Sequence, residues 1–242
     1  MSRRAAVKQS IDDVTTSIKE MRIHAEKKGI DPRGMSKTTL RNAIMRASGQ
    51  SPKIKRYRTV KSLGRKGKEG SVFEVKLRGK SYAKKQFRKS KSAAKIEKEV
   101  AMQKIGTKAG ISPIIREFNL NDKYIIMQKL EKNLYDVMQR RGGTMAKVHQ
   151  RALLRIFRKL DKVMVFHKDP NPVNFMFTSD NVLKIIDYGF AEEINVRKHG
   201  LKPNREQMTL GLLLKFKKLF PGVEYEILEN SLPYNLREVL NR

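Results

Sequence analysis

Two stretches of the chain concentrate oxygen-bearing side chains at fixed intervals. The first is His167-Lys168-Asp169-Pro170-Asn171-Pro172-Val173-Asn174, and the second is Asp187-Tyr188-Gly189. Asp169 and Asn174 stand five apart, and Asp187 lies 18 beyond Asp169. Between them, 175–178 and 182–186 read as short strands joined by the turn Ser179-Asp180-Asn181, which predicts a β-hairpin. Two carboxylates and an amide at the ends of a hairpin suit a reaction run by positioning and electrostatics. Thiol chemistry is excluded, because the chain has no cysteine for catalysis, metal binding or a disulfide. The plainer reading makes these Asp, Asn and Pro residues turn formers in an ordinary loop.

The pattern resembles the catalytic loop H-R-D-x-x-x-x-N and the metal-binding D-F-G of eukaryotic-type protein kinases. That resemblance implies that Asp169 orients the attacking hydroxyl and accepts its proton. It implies that Asn174 and Asp187 hold Mg²⁺, a hard ion suited to oxygen ligands, and that His167 props the loop. Upstream, Leu63-Gly64-Arg65-Lys66-Gly67-Lys68-Glu69-Gly70-Ser71-Val72 resembles the family's phosphate-covering glycine loop. Gly67, Gly70 and Val72 fall in place, whereas Gly64 sits one residue early and Arg65 occupies its slot. Ala83-Lys84-Lys85 matches the family's A-x-K, so Lys85 is implied to reach the α- and β-phosphates of ATP. Lys84, its neighbour on a strand, should point to the opposite face. The resemblance further implies a glutamate partner for Lys85 on the next helix. Glu99 is preferred; Glu97 lies two residues away and about 200° round the helix, so only one can face inward. The run from Tyr124 to Leu130 resembles the hinge, whose backbone from Gln128 to Leu130 would bind adenine with Met127 behind it.

The resemblance covers Tyr57 to Gly211, and the departures from it are informative. Asn171 replaces the lysine usual two residues after the catalytic aspartate in Ser/Thr kinases, so another lysine must supply that charge or it is missing. Tyr188 stands for Phe, and no A-P-E motif follows Asp187. Glu206-Gln207-Met208-Thr209-Leu210-Gly211 resembles the D-x-W-S-x-G helix start, leaving fewer than 20 residues for the activation segment. Few residues follow Gly211, so a truncated helical lobe is expected. These features resemble the compact, atypical end of the superfamily: RIO-like and KEOPS-type kinases, and kinases of large DNA viruses.

The elements that must position these residues are legible as patterns. Residues 10–28 read as a helix with apolar positions Ile11, Val14, Ile18 and Met21. After the turn Asp31-Pro32-Arg33-Gly34, Ser36 can cap a second helix, 37–47, with Leu40, Ile44 and Met45. This segment resembles a SAP-type DNA-binding motif; an ordinary basic helical hairpin is the alternative. Gly49-Gln50-Ser51-Pro52 reads as a linker. Strands are expected over 57–63, 71–77, 81–87, 114–119 and 124–128, with helices over 92–105 and 148–166. Strands first and helices later predict an α+β, two-lobed, protein-kinase-like fold preceded by a small helical segment. The expected domains are residues 1–52, basic and helical, and 53–242, a compact kinase domain.

Charge is the remaining anomaly. Fifty-four Lys and Arg oppose 24 Asp and Glu, a net of +30. Residues 1–55 carry +8 of it and the remainder +22. Such a field attracts nucleic acid or other polyanions, and contacts of that kind weaken steeply with salt; a solvated surface without a particular partner is the bland reading. No apolar run is long enough for a transmembrane segment, and no signal-peptide pattern opens the chain. The expectation is a constitutive, Ser/Thr-directed protein kinase using ATP and Mg²⁺ on a protein substrate, with an ATPase of the same fold as a variant. It would be intracellular, in cytoplasm or nucleus, and packaged in a virion if viral. The alternative class is a nucleic-acid-binding protein whose kinase fold is inactive or secondary.

Overall fold

A computed structural model describes residues 18–47, 57–64, 67 and 69–240. Residues 10–17 of the first expected helix, the linker Gly49-Gln50-Ser51-Pro52, Arg65, Lys66 and Lys68, and the side chain of Met45 lie outside the described residues. The chain divides into two compact units, one comprising the residues up to Ile96 with Arg116–Ile126, the other Glu97–Ile115 with Met127 onward.

The first unit opens with two helices, α1 (Ile18–Glu26) and α2 (Lys37–Ala47). Met21 and Ala25, one helical turn apart on α1, bury against Leu40 and Ile44, spaced alike on α2. Ser36 caps α2, its Oγ accepting from the Thr39 N–H at 3.1 Å. Next comes a five-stranded sheet of β1 (Arg58–Ser62), β2 (Gly70–Leu77), β3 (Lys80–Phe87), β4 (Ile115–Asn119) and β5 (Tyr124–Gln128), in the order β1-β2-β3-β5-β4. β2 and β3 form a tight hairpin through Arg78 and Gly79, both at positive φ, the geometry that matches strand twist. The helix α3 (Ala93–Lys108) begins in this unit and ends in the second.

The second unit is mainly helical. The amphipathic α5 (Lys147–Lys162) buries Leu153, Leu154, Ile156, Phe157 and Leu160. They share one core with Phe175, Phe177 and Ile185 of the hairpin β7 (Phe175–Phe177) and β8 (Leu183–Ile185), and with Leu212, Leu213 and Phe216 of α7 (Thr209–Leu219). α4 (Leu134–Gln139), α6 (Val196–His199), α8 (Glu226–Glu229) and α9 (Tyr234–Leu240) are shorter. The expected helix over 148–166 ends earlier, at Lys162. Met164 turns left-handed (φ 58°), and Val165–Phe166 form β6, paired antiparallel with β9 (Glu192–Glu193). A short apolar run cannot be told from helix by periodicity, and here the strand partner lies far along the chain.

The arrangement is α+β, with strands gathered in the first unit and helices dominating the second. Among the described residues, no helix is long and apolar enough to cross a membrane.

Candidate active site

In the first unit, strand register places the expected phosphate-handling residues together. Val72 on β2 lies directly opposite Lys85 on β3, and Glu74 opposite Ala83. Gly70 begins β2, where an added Cβ would run into the Gln86 carbonyl, so the close approach of the two strands requires glycine. The Gly67 N–H donates to the Gly70 carbonyl at 2.9 Å, folding the loop back on itself. Lys85 has a nearly buried side chain, 12% exposed, with Nζ 3.6 Å from Glu69 Oε2. Lys91 reaches the same oxygen at 2.7 Å. Lys84 leads elsewhere, its Nζ over the Tyr124 ring at 4.6 Å from the centroid. Alternation along a strand separates the two lysines.

Glu99, on α3, is buried at 2% exposure, whereas Glu97 is exposed. Met127 is also buried, with Gln103 Nε2 at 3.6 Å from its sulfur. The Gln128 N–H is committed to the Ile114 carbonyl at 2.9 Å.

The second unit holds the residues expected to form the catalytic loop. Asn174 Nδ2 donates to Asp169 Oδ2 at 2.8 Å, and the Asn174 carbonyl accepts from the Ile186 N–H at 2.9 Å. One residue thus ties Asp169 to the strand that delivers Asp187. Asp187 itself is left-handed (φ 63°, ψ 70°), an uncommon conformation for a residue with a side chain and one that concentrates at functional sites. The amide assignment leaves Asn174 Oδ1 to an incoming group. An amide oxygen and the Asp187 carboxylate are donors of the type Mg²⁺ prefers, so these residues fit that ion.

His167 is fully buried, and its Nε2 lies 3.0 Å from the Ile186 carbonyl. A carbonyl only accepts, so Nε2 carries the proton. Burial pushes the His167 pKa below its ordinary value, which keeps the ring neutral. Its backbone N–H donates to Asn204 Oδ1 at 3.1 Å. Asn204 is buried too, and its Nδ2 donates to Asp161 Oδ1 at 2.7 Å and to the Val165 carbonyl at 2.8 Å. Asp161 accepts further from the Asn204 and Arg205 N–H groups; burial raises its pKa against those bonds. Asn204 starts a π-helical turn, Asn204–Met208, that runs into α7. The expected helix-start motif began at Glu206, yet the side chain that reaches the catalytic loop is Asn204.

Three more residues were not foreseen from sequence. Ser112 Oγ makes a short hydrogen bond with the Tyr188 hydroxyl, satisfying the oxygen that Tyr adds to the usual Phe. Gly106 on α3 meets this pair so closely that a Cβ would overlap the Tyr188 hydroxyl and Ser112 Oγ. Lys215, on α7, brings its Nζ to 3.8 Å from Asp169 Oδ1. On β9, Glu192 Oε1 collects Lys168 at 3.1 Å, His199 Nε2 at 3.0 Å and Lys198 at 3.9 Å. The Lys168 hydrogen bond foremost holds the Glu192 carboxyl below its ordinary pKa.

A protein kinase domain model matches residues 57–211, and the chain belongs to that family. Over 85 residues, 34% of this chain, it is 28% identical to mitogen-activated protein kinase 15 of Xenopus laevis. Over 84 residues, again 34%, it is 32% identical to mitogen-activated protein kinase 12 of Oryza sativa subsp. japonica. Each match spans only 14% of the relative's length.

Proposed function

We propose that the chain is an active protein kinase that transfers the γ-phosphate of ATP to Ser or Thr hydroxyls of a protein substrate. The observation that carries this reading is the double use of Asn174, which holds Asp169 by its side chain and Ile186 by its carbonyl. Asn174 occupies Asp169 Oδ2, leaving Oδ1 to orient an acceptor hydroxyl and take its proton. Lys85 takes the α- and β-phosphates, with Glu99 rather than the exposed Glu97 as its partner. The backbone of Gly67 and Gly70, with Val72 and Ala83 beside them, covers the nucleotide, and the Gln128 carbonyl and Leu130 backbone take adenine. Asn174 and Asp187 would hold Mg²⁺, which supplies charge neutralisation to the phosphates when bound. Both relatives carry protein kinase names, which supports the activity class.

Finer assignments belong to the same proposal. We read the chain as a compact, atypical kinase, because fewer than 20 residues separate Asp187 from Glu206. Glu192 already supplies a carboxylate to Lys168, so no phosphorylation is needed to order that segment, and activity is constitutive. We place the protein inside the cell, or in a virion if its source is viral.

The test is incubation with Mg²⁺ and γ-labelled ATP beside a basic test protein. Label on serine or threonine, lost in Asp169→Ala and in Asp187→Ala, supports the kinase. Nucleotide binding without transfer would leave an inactive fold or an ATPase.

A second reading, tethering to nucleic acid, rests on the net charge of +30 and the α1–α2 hairpin with its own small core. DNA binding that steepens as salt falls, and weakens on removal of residues 1–55, supports it. Unchanged affinity after truncation removes the hairpin from that role.

A further inference from the structure

The transferring phosphoryl group spreads charge over three equatorial oxygens, and fixed cations beside it stabilise the transition state. Asn171, two residues beyond Asp169, cannot supply one. It is neutral, and its Oδ1 caps the Pro172–Asn174 turn by accepting from the Val173 N–H at 3.3 Å. The loop's own lysine, Lys168, is left-handed (φ 68°) and paired with Glu192. Among the described residues, the cation beside Asp169 comes from another element: Lys215 of α7, with Nζ 3.8 Å from Oδ1.

The fold holds Lys215 there by a close backbone approach. At Gly211 an added Cβ would lie 2.6 Å from Pro170 Cγ, so α7 touches the catalytic loop with no side chain between. Lys215 follows four residues later, on the same helical face. Leu212, Leu213 and Phe216 are buried and anchor this stretch of the helix. The Lys215 side chain is 42% exposed and that of Asp169 25%. At 3.8 Å the two form an ion pair longer than a hydrogen bond, and their partial exposure makes it weak enough to yield to a phosphoryl oxygen.

We propose that Lys215 is a catalytic residue that contacts the transferring phosphoryl group from α7, supplying the charge that Asn171 cannot. The proposal rests on the kinase reading of Asp169. It assigns Lys215 to the transition state rather than to ground-state nucleotide binding, so its loss lowers kcat and spares KM for ATP.

The cysteine-free sequence allows a clean test on the full chain. Lys215→Cys introduces a unique thiol, which 2-bromoethylamine converts to a lysine-like ammonium and iodoacetamide to a neutral amide of similar length. The expected result is a kcat reduced roughly 10- to 100-fold in Lys215→Cys, with KM for ATP within about 2-fold. Aminoethylation restores most of the rate, and carboxamidomethylation does not. In parallel, the variant binds ADP–Mg²⁺ as the wild type does but ADP–Mg²⁺–aluminium fluoride roughly 10-fold more weakly. Full kcat in the cysteine variant, equal rescue by both reagents, or unchanged aluminium fluoride affinity would overturn the assignment. A wild-type chain that transfers no label overturns the kinase reading and the assignment of Lys215 with it, whereas transfer by the wild type with full kcat in the variant overturns Lys215 alone.

Discussion

Asn204 accepts a hydrogen bond from the backbone of His167 across 37 positions of sequence, with 3.1 Å between the atoms. The same side chain donates to Asp161 and to the Val165 carbonyl. Helix α5, strand β6 and the start of the catalytic loop therefore converge on one buried amide. The Asn204 amide, His167 and Val165 are buried and Asp161 is half-buried, so the network is stabilising only while complete.

Asn204→Ala would strand the His167 N–H, the Val165 carbonyl and part of the Asp161 carboxylate at once. Its expected cost is about 2–4 kcal/mol, read from urea unfolding of the full chain. Glu206→Ala, at the position where the sequence motif pointed, should cost about 0.5 kcal/mol or less. Equal costs would remove the special standing of Asn204.

The comparison of those two positions shows what a sequence can and cannot disclose. The spacing of Asp169, Asn174 and Asp187 is local, and the hairpin between them is bounded by recognisable turn residues, so loop and strands were legible together. Alternation along β3 was legible too and separates Lys84 from Lys85, whereas the register that sets Val72 opposite Lys85 came from the structure. The partners of the site were not legible, because they meet only through tertiary packing. Asp161 and Asn204 are 43 positions apart, and Ser112 and Tyr188 are 76 apart. Lys215 is one lysine among many, and only the helix packing at Gly211 distinguishes it. Strand β6 hid for a related reason: two apolar residues carry no period of their own, and their pairing with Glu192–Glu193 depends on the returning chain.

His167 predicts a pH dependence with a definite sign. Burial lowers its folded-state pKa from the ordinary 6.5, so below that pH the unfolded chain binds a proton that the folded chain refuses. Its stabilising contribution is complete above about pH 6.5 and is lost as the pH falls toward the depressed folded value, at up to about 1.4 kcal/mol per pH unit. His149 is shifted the same way, chiefly by partial burial, and adds to the trend. Urea midpoints measured between pH 7.5 and pH 5 should fall with pH in the wild type and fall less steeply in His167→Gln. A slope unchanged by that substitution would mean that the ring is protonated in the folded protein or that it does not titrate in this range.

Tyr188 and Ser112 make the sharpest stability test, because the two hydroxyls satisfy each other inside the core. Tyr188 is 1% exposed and Ser112 2% exposed. Tyr188→Phe restores the residue usual after this aspartate in the kinase family, yet here it orphans the Ser112 hydroxyl at a cost of about 1–3 kcal/mol. Ser112→Ala alone orphans the phenol, whose burial already pushes its pKa up, and should cost a similar amount. The double variant removes both partners and leaves no buried group unsatisfied, so its loss should be smaller than the sum of the singles by about 1 kcal/mol or more. Gly106→Ala attacks the same contact from α3 by steric overlap, and the Tyr188→Phe background should relieve it only in part, because Ser112 Oγ crowds the same position as the phenol oxygen. Thermal unfolding of the wild type and the five variants would decide the matter: strictly additive losses from Tyr188→Phe and Ser112→Ala would mean that the Ser112–Tyr188 hydrogen bond contributes nothing to the stability of the fold.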